Sequence, residues 1–138
     1  ERLWEQQLAQ RSAAPYIATH RWKVVDPNAR LAPGIRLVSE PGHTPGHMGV
    51  EFTSNGESIF DWGDLAHVAE VQIPEPSISI QYDIVPPQAA KAREKLVGEL
   101  SKSGELILGG HLPYPSLGRI RADNSGYRWV PIQFDTTK

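Results

Sequence analysis

Apolar residues along this chain fall into short alternating runs, with one long exception whose spacing is helical. Ala89, Ala92, Leu96, Val97 and Leu100 recur at intervals of three and four, while Lys91, Glu94, Lys95 and Lys102 point the other way. That pattern predicts an amphipathic helix opened by Pro86-Pro87 and stopped by Ser103-Gly104. Residues 1–14, with Leu3, Trp4 and Leu8 ahead of the Ala13-Ala14-Pro15 break, predict a shorter helix with a narrow apolar stripe. Alternation predicts strands over 20–25, 35–39, 48–53 and 58–62, then 105–108, 119–121 and 127–134. Asp26-Pro27-Asn28 ends the first of these, and Ser54-Asn55-Gly56 and Asp123-Asn124-Ser125-Gly126 supply hairpin turns. Residues 66–85 are irregular, because Pro74 and Pro76 exclude a helix interior, and read as a long loop holding at most one strand over 77–82.

Composition narrows what such a chain can be. Its 138 residues suit one domain, 1–138, and a core that needs no disulfide. There is no cysteine, which removes disulfide scaffolds, thiolate metal sites and thiol nucleophiles together, so any metal must be held by His, Asp or Glu. Fourteen Lys and Arg against sixteen Asp and Glu leave a net charge of −2, without the basic excess of a nucleic-acid binder. No apolar run is long enough to span a bilayer, so neither nucleic acid nor membrane is an expected partner. Twelve glycines and twelve prolines indicate many short elements joined by turns. The chain opens on Glu1 without an initiator Met or a basic-then-apolar leader, which points to a true N-terminus further upstream.

Three polar clusters could carry chemistry. Pro41-Gly42-His43-Thr44-Pro45-Gly46-His47 places two imidazoles four residues apart, but Pro45 and Gly46 between them exclude a helical metal pair. At most one of the two is a primary ligand, and a tight turn whose histidines bond nearby backbone explains the spacing equally well. Asp61-Trp62-Gly63-Asp64 with His67 ends a predicted strand; parity leaves open which carboxylate faces inward, and an Asp there commonly forms a turn or cap. In Gly109-Gly110-His111-Leu112-Pro113 an apolar strand delivers a histidine that, alone, would be an ordinary loop residue. Together the clusters gain weight, because each follows the C-terminal end of a strand, where sheet proteins gather ligands, and each brings His or Asp. No Ser elbow or phosphate-binding glycine loop competes with them.

These motifs, in this order and at the intervals from 43 to 64 and from 64 to 111, resemble the last three metal motifs of metallo-β-lactamase-fold hydrolases. With Gly118-Arg119-Ile120-Arg121-Ala122 and Gly126-Tyr127-Arg128-Trp129-Val130-Pro131, they are similar to the methyl parathion hydrolase branch, over about Trp4 to the C-terminus. The resemblance implies an α/β fold, the C-terminal half of an αβ/βα sandwich, with one mixed, mainly antiparallel sheet and flanking helices. It implies two divalent metal ions, zinc foremost, with His43 on the first, Asp64 bridging both and His111 on the second. His47 would stabilise its turn or support the ligands from behind, and Asp61 and His20 would be structural. His67 falls where the branch has a residue beside the metals, and Ile80 and Tyr82 fall on its substrate wall.

The implied reaction is hydrolysis of a small molecule, an ester, lactone or phosphotriester, by a metal-bound hydroxide, with Asp64 and His67 in the catalytic machinery. His67, Ile80 and Tyr82 make a mixed polar and aromatic wall that suits a carboxylic ester or lactone better than a phosphotriester. Relatives in this branch are often exported, which favours a periplasmic or secreted location, but without the N-terminus the sequence leaves the compartment unknown. The family's H-x-H-x-D-H motif, which supplies the other four ligands, occurs nowhere in these residues. The expectation is therefore a chain inactive alone, with an apolar sheet face open to the missing N-terminal half of the domain or to a second copy in a homodimer. The rival reading is a non-catalytic domain that keeps the fold without a working dinuclear centre.

Overall fold

The computed structural model describes residues 3–133. In chain order the elements are α1 (Leu3–Ala18), β1 (Arg30–Ala32), β2 (Ile35–Ser39), β3 (Met48–Ser54), β4 (Glu57–Asp61), α2 (Ala69–Gln72), α3 (Pro86–Ser103), β5 (Leu106–Leu108), β6 (Leu117–Asp123) and β7 (Gly126–Pro131). The seven strands form one sheet in sequence order. All neighbours are antiparallel except β4 and β5, which run parallel because α3 crosses between them. The mixed, mainly antiparallel sheet with flanking helices is thus present.

The strongest sequence signals land where the pattern puts them. β2 matches its expected span, and the β3–β4 hairpin turns at Asn55 and Gly56, both at positive φ. α3 begins at the proline pair and ends at Gly104, whose left-handed backbone lets its N–H donate to the Leu100 carbonyl. Four expectations need correction. The first helix does not break at Pro15 but runs on to Ala18, where the Thr19 N–H and hydroxyl both donate to the Pro15 carbonyl and close the last turn. Trp4 and Leu8 of its apolar stripe are exposed. Residues 20–25 form no strand: β1, which the pattern did not predict, occupies the β2 edge, and Val24 is left 89% exposed. Residues 77–82 form no strand either: the Gln72 and Arg93 side chains donate to the Ile78 carbonyl, Asp83 accepts from the Ile80 N–H, and local turns take the Ile78 N–H and the Ile80 carbonyl. Of the expected elements, residues 1 and 2 of the first helix and residue 134 of the last strand lie outside the described residues.

One face of the sheet is packed. Leu96, Val97 and Leu100 of α3 meet Phe60, Ile107 and Ile120, and Trp62, Leu65, Ala66, Ala69, Ile73 and Leu112 extend this core toward one end of the strands. The ladder puts Ile35, Phe52, Ile59 and Leu106 in a row on the opposite face, with Leu37, Val50, Leu108 and Leu117 beside them. Leu37 is buried there, but Phe52 and Ile59 are exposed and the others only half-buried.

Candidate metal centre

Strands β2, β4 and β5 point the same way, so their C-terminal ends share one edge of the sheet. The turn after β2 carries His43, the turn after β4 carries Asp64 and His67, and the turn after β5 carries His111. Their side chains converge. The Asp64 carboxylate receives His111 Nε2 at 2.8 Å on Oδ1 and faces His43 Nε2 at 3.4 Å on Oδ2. The His67 ring stacks on His111 with centroids 4.1 Å apart and lies 5.0 Å from that of His43. These groups, with Thr44, Tyr82 and Ile84, line a cavity of about 510 Å³. Of the two residues on the expected substrate wall, Tyr82 belongs to this lining. Ile80 stands outside it, and its backbone N–H donates to Asp83 Oδ2 at 3.2 Å.

What holds the ligating atoms in place was not legible in the sequence. His43 Nδ1 lies 3.1 Å from Oδ1 of the buried Asp83, which leaves Nε2 as the nitrogen turned to the cavity. A carboxylate behind a histidine is the arrangement that orients metal-binding imidazoles. Behind Asp83 stands Arg93, buried in the apolar face of α3 and 3.6 Å from Asp83 Oδ2. Its guanidinium donates to the carbonyls of Leu65, Ile78 and Pro76 at 2.7, 2.7 and 2.8 Å. Gln72 completes the scaffold, accepting from the His67 and Val68 N–H groups and donating to the Ile78 carbonyl. The loop that carries His67 and Tyr82 is therefore held by two buried side chains. The turn after β2 is pinned as well: Ile84 and Val85 N–H groups donate to the His43 and Gly42 carbonyls. Gly42 packs directly on the Ala89 backbone at a φ of +144°, where any side chain would collide.

His47 and Asp61 bond inward to backbone. His47 Nδ1 meets the Glu40 carbonyl at 3.1 Å, and its Nε2 accepts from the Asp64 N–H at 2.9 Å. Asp61 Oδ1 accepts from the Gly63 N–H, the turn role open to it from the sequence. His20 is exposed at the end of α1.

Charge follows this geometry. Burial opposes ionisation of Asp64, but the His111 hydrogen bond and the nearby histidines outweigh it and hold the carboxyl below its usual range. Burial, then the neighbouring His111 and His43, lower His67. Glu40, buried behind His47 with neither carboxyl oxygen hydrogen-bonded among the described residues, is pushed up to about 9 by burial and then by Asp61, against a smaller opposing effect of Lys95.

The donors suit a divalent ion. His43, Asp64 and His67 each offer one ligand atom within 4.8 Å of the others, and imidazole nitrogen with carboxylate oxygen is the set that zinc and similar ions accept. His43 Nε2 is also already turned inward by Asp83. Strand ends that converge imidazoles on a shared carboxylate are where α/β proteins can gather metal ligands. No protein-family model matches the chain, and no curated protein does. Among solved structures, AbOPH, a hydrolase of the beta lactamase superfamily, is 35% identical, with a TM-score of 0.85 over 91% of this chain and 43% of its own. AidC, a dizinc quorum-quenching lactonase in complex with a product, is 27% identical, with a TM-score of 0.80 over 86% of this chain and 40% of its own. A probable metal-dependent hydrolase from Staphylococcus aureus shares the fold at 16% identity and a TM-score of 0.60. The chain has the fold of metallo-β-lactamase superfamily hydrolases. It spans about two-fifths of the length of AbOPH and of AidC.

Proposed function

We propose that this chain forms the C-terminal half of a metal-dependent hydrolase domain acting on a lactone or carboxylic ester, with His43, Asp64 and His111 among its metal ligands. The observation that carries the reading is the Asp64 carboxylate, one oxygen toward each of two imidazoles at 3.4 and 2.8 Å, beside a cavity large enough for a small molecule. His43 would serve one ion, His111 a second, and Asp64 both; zinc is favoured by the dizinc character of AidC. Ions held there would activate a water molecule and polarise the substrate's acyl oxygen.

The chain's own residues would do the rest. Asp83 and Arg93 keep His43 Nε2 on the cavity side. His67, whose Nδ1 has no hydrogen-bond partner among the described residues, borders the same space and is placed to bond the substrate or leaving group. Tyr82 and Ile84 give the cavity an aromatic and an aliphatic wall, which suits the apolar part of an acyl lactone. The remaining ligands would come from an H-x-H-x-D-H segment outside these residues, on a second layer packed against the open apolar face of the sheet.

The test is the kcat/KM of the full-length, zinc-loaded protein for an aryl lactone and for methyl parathion. A clear preference for the lactone, lost in His111→Ala, is expected. A phosphotriester preference would overturn the substrate class. Activity that survives His111→Ala would overturn the site.

A further inference from the structure

We propose that His47 is a positioning residue that, with its proton on Nδ1, joins the Glu40 carbonyl to the Asp64 backbone N–H and thereby sets where the Asp64 carboxylate points. Three observations carry this. A carbonyl can only accept, so the 3.1 Å contact with the Glu40 oxygen requires the proton on Nδ1. The Asp64 N–H can only donate, so its 2.9 Å contact requires a lone pair on Nε2. The two demands select the same tautomer and leave neither ring nitrogen for a metal or a substrate. Gly63, the residue before Asp64, has a φ of +52°, and a Cβ there would lie 2.9 Å from His47 Nε2; the turn makes room for this ring.

The brace links the turns that matter most. At one end, the Glu40 N–H donates to the His47 carbonyl and the His47 N–H to the Thr44 carbonyl, which closes the turn carrying His43. At the other end Asp64 is held immediately after Gly63, whose own N–H is bound by Asp61. His47 thus ties the His43 turn to Asp64 from behind, without itself lining the cavity. Its effect on metal affinity rests on the proposed ligand role of Asp64; the tautomer and the backbone tie do not.

Long-range proton–nitrogen correlation spectra of the ¹⁵N-labelled chain would read the His47 tautomer directly, and amide exchange would read the Asp64 N–H. A proton on Nδ1 and a protected Asp64 amide are expected. Among variants, His47→Gln keeps an acceptor near the position of Nε2, His47→Asn keeps only a donor near Nδ1, and His47→Ala keeps neither. Zinc affinity, measured by chelator competition, should fall roughly 10–100-fold in His47→Ala and His47→Asn and be largely restored in His47→Gln. A proton on Nε2 in the wild type would overturn the proposal even if every variant failed to fold. So would an Asp64 amide unprotected in the wild type or equally protected in His47→Ala, or equal zinc affinities of the Asn and Gln variants. A wild-type chain that binds no zinc would count against the metal reading, while the tautomer and amide exchange still decide the brace.

Discussion

On the α3 side of the sheet, Phe60, Ile107 and Ile120 are almost wholly buried, whereas on the other side Phe52 is 43% exposed and Ile59 37%. The same strands supply both sets, since successive residues alternate between faces. β4 shows the contrast within two positions: Phe60 lies under α3 and Ile59 faces out. An antiparallel sheet with only one covered face usually carries polar residues on the other. Here Ile35, Val50, Phe52, Ile59, Leu106, Leu108 and Leu117 make the second face apolar too, and among the described residues all seven stay exposed or half-buried. The candidate metal centre repeats the lesson. Its inner side is braced by Asp83, Arg93, Gln72 and His47, and its outer side is open.

Breaking the braced side should cost most. Arg93→Met leaves Asp83 buried without its cationic partner and takes a donor from three loop carbonyls, of which Ile78 keeps a second one in Gln72; a loss of about 3–5 kcal/mol in denaturant unfolding is expected. Ile107→Ala opens a cavity under α3 and should cost about 2–5 kcal/mol, whereas Ile59→Ala on the open face should cost about 1 kcal/mol or less. Equal costs for the two isoleucines would erase the contrast between the faces.

Glu40 sharpens it through pH. Its folded pKa of about 9 lies above the ordinary 4.5, so its stabilising contribution is complete below about pH 4.5 and is lost as pH rises toward 9. Thermal unfolding across that window should therefore show wild-type Tm falling relative to Glu40→Gln, with the gap widening as pH rises. A constant gap would mean that Glu40 is not held neutral in the fold. The smallest effect is expected on the open face: Ile59→Lys should leave Tm nearly unchanged while reducing self-association in sedimentation.

Local rules made much of this readable. The stripe of Ala89, Leu96, Val97 and Leu100 foretold both α3 and its buried face, and Asn55-Gly56 foretold a hairpin, because each signal is complete within a few residues. Residues 20–25 alternate as well as a strand does, yet a strand also needs a pairing partner: the place beside β2 goes to β1, and residues 20–25 pair with no strand of the sheet. Among the site residues, His43, Asp64 and His111 could be found because each follows a strand and sits in a recognisable motif. Asp83 and Glu40 gave no such signal, since their roles depend on partners brought near by the fold. Arg93 did leave a trace, a charge inside the apolar stripe of α3, where a buried partner is the economical explanation.

The most direct test of the account is the zinc content of the chain after equilibrium dialysis, set beside that of a His43→Ala, Asp64→Ala double variant. Zinc should be retained by the wild type and lost from the variant if Asp64 and the imidazoles around it are the metal ligands proposed for this chain. No zinc in the wild type, or equal zinc in both, would contradict it.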